Sequence, residues 1–342
     1  MEVKIATESD KNLWDEVINN SKDSTIFHTW KWLKIMEKYS QKKFITNIPQ
    51  SHLYPLIVSE KNEVVGVIPL YLYRNFWGKW IHSPPLHVEC LYLGPIFKNF
   101  ETLKPRERYH NFFRFQTILH DFLTENLGVN SIKIRSSTGF EDPRGFQWSG
   151  YKIEPRFTYF LDLKRDKEEI YKNFQKRLRN YLRGNERVGI EIEEGSHENL
   201  EPILLLMKEK ERIDAPLEFI HEAFNSFYPH NVRIFIAKHN DNFLSGLLVT
   251  IFKNKVSSWI GTPGVSFKGV YPNEFLFWHL IQWSMDQGME YFEIMGADDL
   301  SLVPFKNKWN AEIRRSYLAK WMSPGFHRIN SLYSLIRQKD LT

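Results

Sequence analysis

The segment "EFLFWHLIQWSMDQGMEYFEIM" (residues 274–295) has the pattern of a helix, a turn and a strand. Its first half carries apolar residues at helical spacing and predicts an amphipathic helix. Gly288 marks the end of that helix, because glycine readily takes the left-handed conformation that closes helices. The residues that follow alternate between apolar and polar, which is typical of a half-buried strand.

An earlier segment, "RFQTILHDFLTENLGVNSIKIR" (residues 114–135), follows the same order. Gly128 ends its predicted helix as Gly288 ends the later one. A strand isoleucine, Ile134 or Ile294, lies six residues beyond each of these glycines. The match predicts that one helix–strand unit occurs twice in the chain.

A second pair of segments predicts two β-hairpins. They are "LIVSEKNEVVGVIPLYL" (56–72) and "IAKHNDNFLSGLLVTIF" (236–252), each with an apolar strand, a polar turn and a second strand. Gly66 and Gly246 lie ten residues beyond the start of their segments. Hairpin, helix and strand thus recur in the same order, so we expect Gly66 to match Gly246 and Gly128 to match Gly288.

A repeat longer than 150 residues indicates two copies of a domain and not a solenoid. Each copy is predicted to be a mixed β-sheet flanked by helices, an α/β or α+β layout. We place the first domain at residues 1–155 and the second at 156–342, and we expect a cleft between them.

The segment "NFQKRLRNYLRGNERVG" (173–189) concentrates positive charge at the start of the second copy. Across residues 164–187 there are nine basic and four acidic side chains, a surplus of five that equals the net charge of the chain. On a helix, Phe174, Leu178 and Leu182 make an apolar stripe with Ile170 one turn before them. The basic side chains make a second stripe, which is either a solvated face or a surface for an acidic partner. They are Lys172, Lys176, Arg179, Arg183 and Arg187.

Composition excludes several classes of protein. A chain of 342 residues has room for about two domains. The single cysteine, Cys90, excludes an intramolecular disulfide framework and a cysteine-rich metal cluster. The N-terminus has no signal-peptide pattern, and no window approaches the roughly 20 apolar residues of a membrane span. These features predict a cytoplasmic protein without a transmembrane segment.

Five motifs in order resemble the FemABX-like transferases, which have two GNAT-like domains. The resemblance covers roughly residues 25 to 320. The known members carry amino acids from aminoacyl-tRNA onto peptidoglycan precursors. The motifs are "FHTWKW" (27–32), "GVIPLYL" (66–72), "SPPLHVECLYLGPIF" (83–97), "KNFQKRLRNYLRGNERVGIEI" (172–192) and "GADDLSLVPFKNKWN" (296–310).

The chain departs from GNAT acetyltransferases in one place and from the FemABX-like pattern in another. GNAT acetyltransferases bind the pyrophosphate of coenzyme A at a glycine-rich helix N-terminus. Here that stretch is "SFKGVYPNE" (266–274), with one glycine, Gly269, and with Pro272, which suits a helix start but donates no N–H. We therefore expect no bound cofactor. Glu101 also falls late after the Gly-Pro of the first copy, with Lys98 in the expected neighbourhood, so the acceptor is expected to differ from the usual muropeptide.

The resemblance assigns the chemistry to the end of the second copy. Aminoacyl transfer to an amine requires stabilisation of a tetrahedral oxyanion. By similarity to the family's Phe-Lys motif, Lys306 is the candidate cation, and we expect Phe305 and Trp309 to bracket it. Asp298 and Asp299 follow a strand end, where ligands often bind. One of them is expected to orient the amine or act as base, with helix N-capping as the alternative.

Candidates elsewhere are weaker. Trp30, with His28 and Trp32, belongs either to the first-copy substrate groove or to its core, and the resemblance makes Lys34 a phosphate contact in that groove. The histidines around "IHSPPLHVEC" lack ligand spacing, so no metal site is predicted.

The resemblance also gives the basic helix a role, because in the family it borders the interdomain cleft. Lys176, Arg179 and Arg183 would then contact phosphate, and guanidinium groups suit that task.

The predicted function is formation of an amide on an amine of a cell-envelope or peptide-like precursor, with aminoacyl-tRNA as donor. The acceptor is expected to be nucleotide- or lipid-linked, and peripheral contact with a membrane stays open. One alternative is an N-acyltransferase that uses a thioester donor, acyl-CoA or an acyl carrier, in surface-polysaccharide synthesis. The other is a non-enzymatic RNA-binding protein on the same fold.

Overall fold

The computed structural model describes residues 1–40, 51–76, 78–184 and 188–326. The chain divides into two compact units. Unit 1 consists of Met1–Arg156 together with the chain from Ser316 onward, and unit 2 consists of Phe157–Arg315.

The strands are numbered in chain order. They are β1 (Glu2–Ile5), β2 (Ser51–Glu60), β3 (Glu63–Asn75), β4 (Gly78–Ser83), β5 (Ile96–Phe97), β6 (Ser131–Arg135), β7 (Lys152–Asp162), β8 (Glu191–Gly195), β9 (Val232–His239), β10 (Asn242–Phe252), β11 (Lys255–Gly261), β12 (Tyr291–Ile294) and β13 (Glu312–Met322).

The α-helices are numbered in the same way. They are α1 (Lys11–Asn20), α2 (Trp30–Ser40), α3 (Pro105–Asp121), α4 (Arg144–Trp148), α5 (Lys167–Asn173), α6 (Lys176–Arg183), α7 (Leu200–Glu209), α8 (Leu217–Phe227), α9 (Pro272–Asp286) and α10 (Val303–Asn307). None of the helices in the described part of the chain is long and apolar enough to cross a membrane.

Strand pairing follows one order in both units. In unit 1, strands β1 to β4 pair antiparallel in sequence, β4 pairs parallel with β6, and β6 pairs antiparallel with β13. In unit 2, strands β8 to β11 pair antiparallel in sequence, β11 pairs parallel with β12, and β12 pairs antiparallel with β7. Two helices follow the first strand of each series, and one long helix, α3 or α9, precedes the parallel strand. The predicted α/β fold, with the same mixed strand order flanked by helices in each unit, is confirmed. The prediction of two separate sheets is wrong, because the described strands belong to one 13-stranded sheet.

The four glycines that the sequence pairs lie at corresponding elements of the two units. The long helices α3 and α9 both begin with proline at their first turn. The segments after them close at Gly128 and Gly288, whose φ angles of 63° and 70° favour glycine. Gly66 and Gly246 lie on the second strand of each hairpin. A Cβ there would approach the Ile96 carbonyl oxygen at 2.7 Å in unit 1 and the Ile203 side chain at 2.5 Å in unit 2.

The division of the chain differs from the predicted domain ranges at the C-terminus. Strands β7 and β13 each run from one unit into the other, after Arg156 and after Arg315. The second half of β13 pairs with β6 in unit 1, whereas the sequence assigned residues 316–342 to the second domain. Hairpin and helix signals did not reveal this pairing, because the partner strands lie about 180 residues apart. The predicted domain ranges and the predicted cleft stay predictions.

The predicted basic helix is divided in two. Helix α5 ends at Asn173 and α6 begins at Lys176, with Phe174 and Gln175 extended between them. The break follows from tertiary contacts, because the Phe174 ring packs on Trp309 at 5.1 Å and the Gln175 N–H donates to the Lys308 carbonyl at 3.0 Å. The apolar stripe is buried as predicted at three positions and half-buried at the fourth. Its members are Ile170, Phe174, Leu178 and Leu182.

Candidate functional site

Lys306 lies at the end of β12, inside unit 2. Strands β11 and β12 pair in parallel as far as Ser258 and Ile294. The short helix α10 then carries Lys306 back to that strand end, where its ammonium donates to the backbone carbonyls of Met295 and Gly296. Gly296 has a φ of 73°, a conformation that glycine adopts without strain.

The Lys306 side chain is a buried cation bound to neutral groups. The residue is 5% exposed, and both of its hydrogen-bond partners are carbonyl oxygens. Burial lowers the pKa of Lys306 from 10.5 to about 8, and the carboxylates of Asp299, Glu293 and Asp298 oppose that shift more weakly. At neutral pH the ammonium form therefore still predominates. Perturbed lysines of this kind are common at functional sites.

The aromatic residues of the motif, Phe305 and Trp309, pack against rings of the unit 2 core. Trp309 is fully buried in the core of unit 2, where its ring lies 5.8 Å from Phe277 and 5.1 Å from Phe174. The Phe305 ring lies 5.0 Å from Phe277 and 6.2 Å from Trp309. The ammonium over the Phe305 ring is that of Lys308, at 4.3 Å from the ring centroid.

Sequence reasoning missed a buried ion pair next to this motif. The Lys308 ammonium bonds the Glu274 carboxylate, and the two side chains are 15% and 4% exposed. Burial lowers the pKa of Lys308, and the bond to Glu274 opposes that effect. Glu274 lies in the first turn of α9, where backbone N–H groups favour negative charge. The available signal was an acidic residue two positions after Pro272.

The two aspartates differ in their surroundings. Asp299 caps the turn Leu300–Leu302 by accepting from the Ser301 N–H at 2.8 Å and from its hydroxyl at 2.7 Å. These bonds, with weaker attraction from Arg212 and Lys306, hold the pKa of Asp299 below its ordinary value. Asp298 accepts from the Phe157 N–H at 3.3 Å. The capping alternative therefore describes Asp299.

In unit 1, Trp30 and Lys34 lie on helix α2. Trp30 is buried, its indole N–H donates to Glu8, and its ring meets Trp14 edge-on at 5.8 Å. Lys34 is exposed and pairs with Glu37 three residues later. Trp30 thus belongs to the core of unit 1, the second of the two predicted alternatives.

The basic stripe on α6 is solvent-facing at two of its three candidate positions. Lys176 and Arg183 are exposed, and within the described ranges neither side chain has a hydrogen-bond or ion-pair partner. Arg179 is half-buried and its guanidinium donates to the Lys172 carbonyl at the end of α5. Arg187 lies outside the described residues.

A cavity of about 290 Å³ is lined in part by Trp309. Its walls include Phe160, Ile170, Asn173 and Asn310, but not Lys306. The cavity and the buried lysine are therefore separate features of unit 2. Among the described residues, no group of three or more histidine, cysteine or acidic side chains could hold a metal ion.

Comparisons with known proteins support the fold. A family model described as Acetyltransferase (GNAT) domain matches residues 172–307. A comparison with curated proteins finds no match. The crystal structure of FemX is similar with a TM-score of 0.67 at 13% identity, over 98% of this chain and 100% of that one.

Two other solved structures are similar over most of their length. L-PGS from Bacillus licheniformis has a TM-score of 0.54 at 14% identity, over 95% of this chain and 97% of that chain. A tandem GNAT protein from the clavulanic acid biosynthesis pathway has a TM-score of 0.51 at 10% identity, over 93% and 98%. These likenesses confirm, at the level of the fold, the predicted resemblance to FemABX-like proteins with tandem GNAT-like domains.

Proposed function

We propose that this protein is an acyltransferase that moves an aminoacyl group from aminoacyl-tRNA to an amine, forming an amide. The proposed acceptor is a nucleotide- or lipid-linked precursor of the cell envelope. The observation that carries the proposal is the buried Lys306 ammonium at the end of β12, in a chain whose fold is similar to that of FemX along nearly its whole length.

The chemistry needs a positive charge at the acyl oxygen. When the amine attacks the ester carbonyl of the donor, the carbonyl oxygen gains negative charge. The C–N bond forms, the bond from the carbonyl carbon to the tRNA ribose oxygen breaks, and the proton lost by the amine ends on that ribose oxygen. An ammonium has three N–H donors, and Lys306 uses two of them on Met295 and Gly296. The third has no partner among the described residues, and we propose that it binds the oxyanion. In a dry site such a contact stabilises the transition state strongly.

The buried ion pair favours tRNA over coenzyme A as donor. In GNAT acetyltransferases the N-terminus of the corresponding helix binds the pyrophosphate of coenzyme A. Here the Glu274 carboxylate, bonded to Lys308, already supplies negative charge in the first turn of α9. A pyrophosphate at the same turn would have to compete with Glu274 for Lys308 and would lie beside the Glu274 carboxylate, and like charges at short range repel.

The exposed face of α6 supports a polyanionic donor. Lys176 and Arg183 lie seven residues apart on one side of the helix, where the apolar stripe turns them toward solvent. Arg179 lies between them, and its guanidinium donates one hydrogen bond to the Lys172 carbonyl at the end of α5. We propose that these three side chains contact phosphates of the tRNA.

The remaining candidate residues keep narrower proposed roles. Asp298 is the stronger of the two aspartates for orienting the amine, since the low pKa and the capping bonds of Asp299 make it a poor base. Phe305 and Trp309 are proposed to hold the loop of Lys306 by packing. Lys34 is proposed as a phosphate contact in unit 1, and Trp30 is proposed to support its helix.

A salt series tests the donor. We expect binding of a mixed aminoacyl-tRNA pool to weaken as salt rises, with a log–log slope of roughly three for three phosphate contacts. Lys176→Glu with Arg183→Glu should weaken binding and lower that slope by about two. The matched control is Lys208→Glu with Lys210→Glu, which has the same charge change on another exposed segment of unit 2.

The outcomes separate the donors. Absence of saturable tRNA binding at low salt would contradict the tRNA donor and favour a thioester donor, which carries few phosphates. Equal losses in the two double variants would show that binding depends on net charge and not on α6.

A further inference from the structure

On strands β7 and β12 of unit 2, the sheet has one face in the apolar core and an opposite face, the polar face, that carries charged and aromatic side chains. Strands β7 and β12 pair so that Tyr291 lies opposite Asp162 and Glu293 lies opposite Phe160. Because side chains alternate along a strand, these four residues share a face. The residues between them on both strands face the other way, into the apolar core of the unit. The polar face therefore carries groups that the core does not use.

Three cations lie on this polar face, stacked on two aromatic rings. The Arg314 guanidinium lies 4.3 Å from the Phe160 centroid and 4.7 Å from the Tyr291 centroid. The Lys164 ammonium lies 2.9 Å from the Tyr291 hydroxyl, to which it donates. The Lys255 ammonium lies 5.3 Å from the Phe160 centroid. Such contacts hold cations in place without neutralising them.

Only part of this charge is balanced. Lys255 donates to the fully buried Glu293 carboxylate at 3.0 Å. Lys164 and Arg314 have no ion pair with a carboxylate in the described part of the chain. Asp162 and Glu290 attract Lys164 only from a distance, and an Asp162 oxygen already accepts the Lys164 backbone N–H at 3.1 Å.

The neighbouring Arg165, unlike Lys164 and Arg314, has acidic partners. Its guanidinium lies 3.7 Å from Glu169 and 3.9 Å from Glu312, so acidic partners are within reach of this surface. The two cations at Tyr291 are left unbalanced although carboxylates are present nearby. Two positive groups that lie against one tyrosine side chain repel each other, and a bound anion would relieve that repulsion.

We infer that Lys164, Arg314 and the hydroxyl of Tyr291 form a binding site for a phosphate group. The site lies at the start of β12, at the opposite end of that strand from the carbonyls that hold Lys306. A guanidinium offers a planar pair of donors, the ammonium a point charge and the phenol a hydroxyl donor, which together match phosphate oxygens. Lys164 is exposed and Tyr291 and Arg314 are half-buried, so a ligand reaches the site from solvent.

The phosphate can belong to a small soluble molecule or to the backbone of an RNA, and the site chemistry is the same for both. The inference does not depend on the proposed function, because it uses none of the residues around Lys306. Its failure and the failure of aminoacyl transfer are therefore separately visible.

Calorimetric titration with inorganic phosphate at constant ionic strength tests the site in the full chain. We expect saturable binding, weakened about tenfold or more by Lys164→Met, by Arg314→Met and by Tyr291→Phe, which keeps the ring but removes the hydroxyl. The matched controls are Arg165→Met, next to Lys164, and Arg315→Met, the next residue on the same strand, whose side chain points to the other face. Both controls should bind phosphate within about twofold of the unmodified protein.

Cooperative unfolding, followed by circular dichroism, establishes that each variant is folded. Absence of phosphate binding to the unmodified protein, or losses in the controls equal to those at the site, would overturn the inference. Repeating the titration with tRNA identifies the source of the phosphate. A parallel loss of tRNA affinity in the site variants assigns the site to an RNA backbone, and unchanged tRNA affinity assigns it to a small phosphate-containing molecule.

Discussion

At the scale of single residues, Lys306 sets the strongest constraint on the chemistry. Its ammonium is buried against two carbonyl oxygens and not against a carboxylate, so burial dominates its titration. The lowering of its pKa to about 8 corresponds to about 3 kcal/mol of disfavoured charge. A protein keeps such a group where a partly desolvated charge has a use, and stabilisation of an oxyanion is one such use.

The pH dependence of stability reports this burial. In the unfolded chain Lys306 keeps its proton up to about pH 10.5, whereas in the folded chain it loses the proton near pH 8. Between those values the unfolded state binds more protons, so the native protein should gain stability as pH rises. Relative to Lys306→Met, the gain should be about 1.4 kcal/mol per pH unit in this window and absent below pH 8.

Urea denaturation of both proteins from pH 7 to pH 10 measures this difference. Working with the difference removes the contribution of the other lysines. If the stability curves of the unmodified protein and of Lys306→Met were parallel across this window, the Lys306 ammonium would be solvated and not buried.

At the scale of secondary-structure elements, the first turn of α9 and the loop after α10 are joined by the Glu274–Lys308 pair. Breaking a buried pair leaves one charge without its partner, which costs more than the pair itself contributes. Glu274→Gln should therefore destabilise unit 2 by about 3 kcal/mol, because the Lys308 ammonium stays behind in a buried position. Replacing both residues, with Glu274→Leu and Lys308→Met, should restore most of that loss.

Chemical denaturation of the single and double variants checks this expectation. Glu168→Gln, which breaks an exposed pair with Lys172, is the control and should change stability little. If Glu274→Gln lowered the free energy of unfolding as little as this control, the Glu274–Lys308 pair would be solvated. The pair would then no longer disfavour pyrophosphate binding at α9.

Local sequence signals predicted some of the strands and helices but not how distant strands pair. Hairpin turns, helix-ending glycines and apolar spacing are local signals, so they predicted β2–β3, β9–β10, α3, α9 and the strands after them. The pairing of β13 with β6 was not predicted, because the choice of partner for a distant strand depends on packing and not on local pattern. The break at Phe174 was missed for the same reason, since Trp309 and the Lys308 carbonyl cause it.

The candidate site was predicted in part. A motif match indicated Lys306, and the alternative of capping was open for Asp299. That aromatic rings bracket Lys306 stays a prediction, and the contact of the Phe305 ring with the Lys308 ammonium was not predicted. Sequence spacing gives neighbours along the chain but not the direction of each side chain. Glu274, 32 residues before Lys306, could be associated with this motif only through the fold.

At the scale of the whole molecule, the chain contains the same topology twice, and the two units use it differently. Unit 2, the second copy of this topology, contains the buried Lys306, the ion pair at α9 and the basic helix α6. In unit 1 the side chains of α2 that resemble substrate contacts are a core tryptophan and a lysine paired on its own helix. We therefore expect the chemistry to depend first on unit 2.

Single-turnover transfer of a labelled amino acid directly tests whether the protein is an aminoacyltransferase that depends on Lys306. The full chain is mixed with tRNA charged with a labelled amino acid and with an extract of amine-bearing envelope precursors, and the label in an amide product is followed over time. We expect transfer by the unmodified protein, a rate lowered by about 100-fold or more with Lys306→Met, and an unchanged rate with the exposed control Lys208→Met. Label that stays on the tRNA with the unmodified protein, or transfer by Lys306→Met at the unmodified rate, would contradict this expectation.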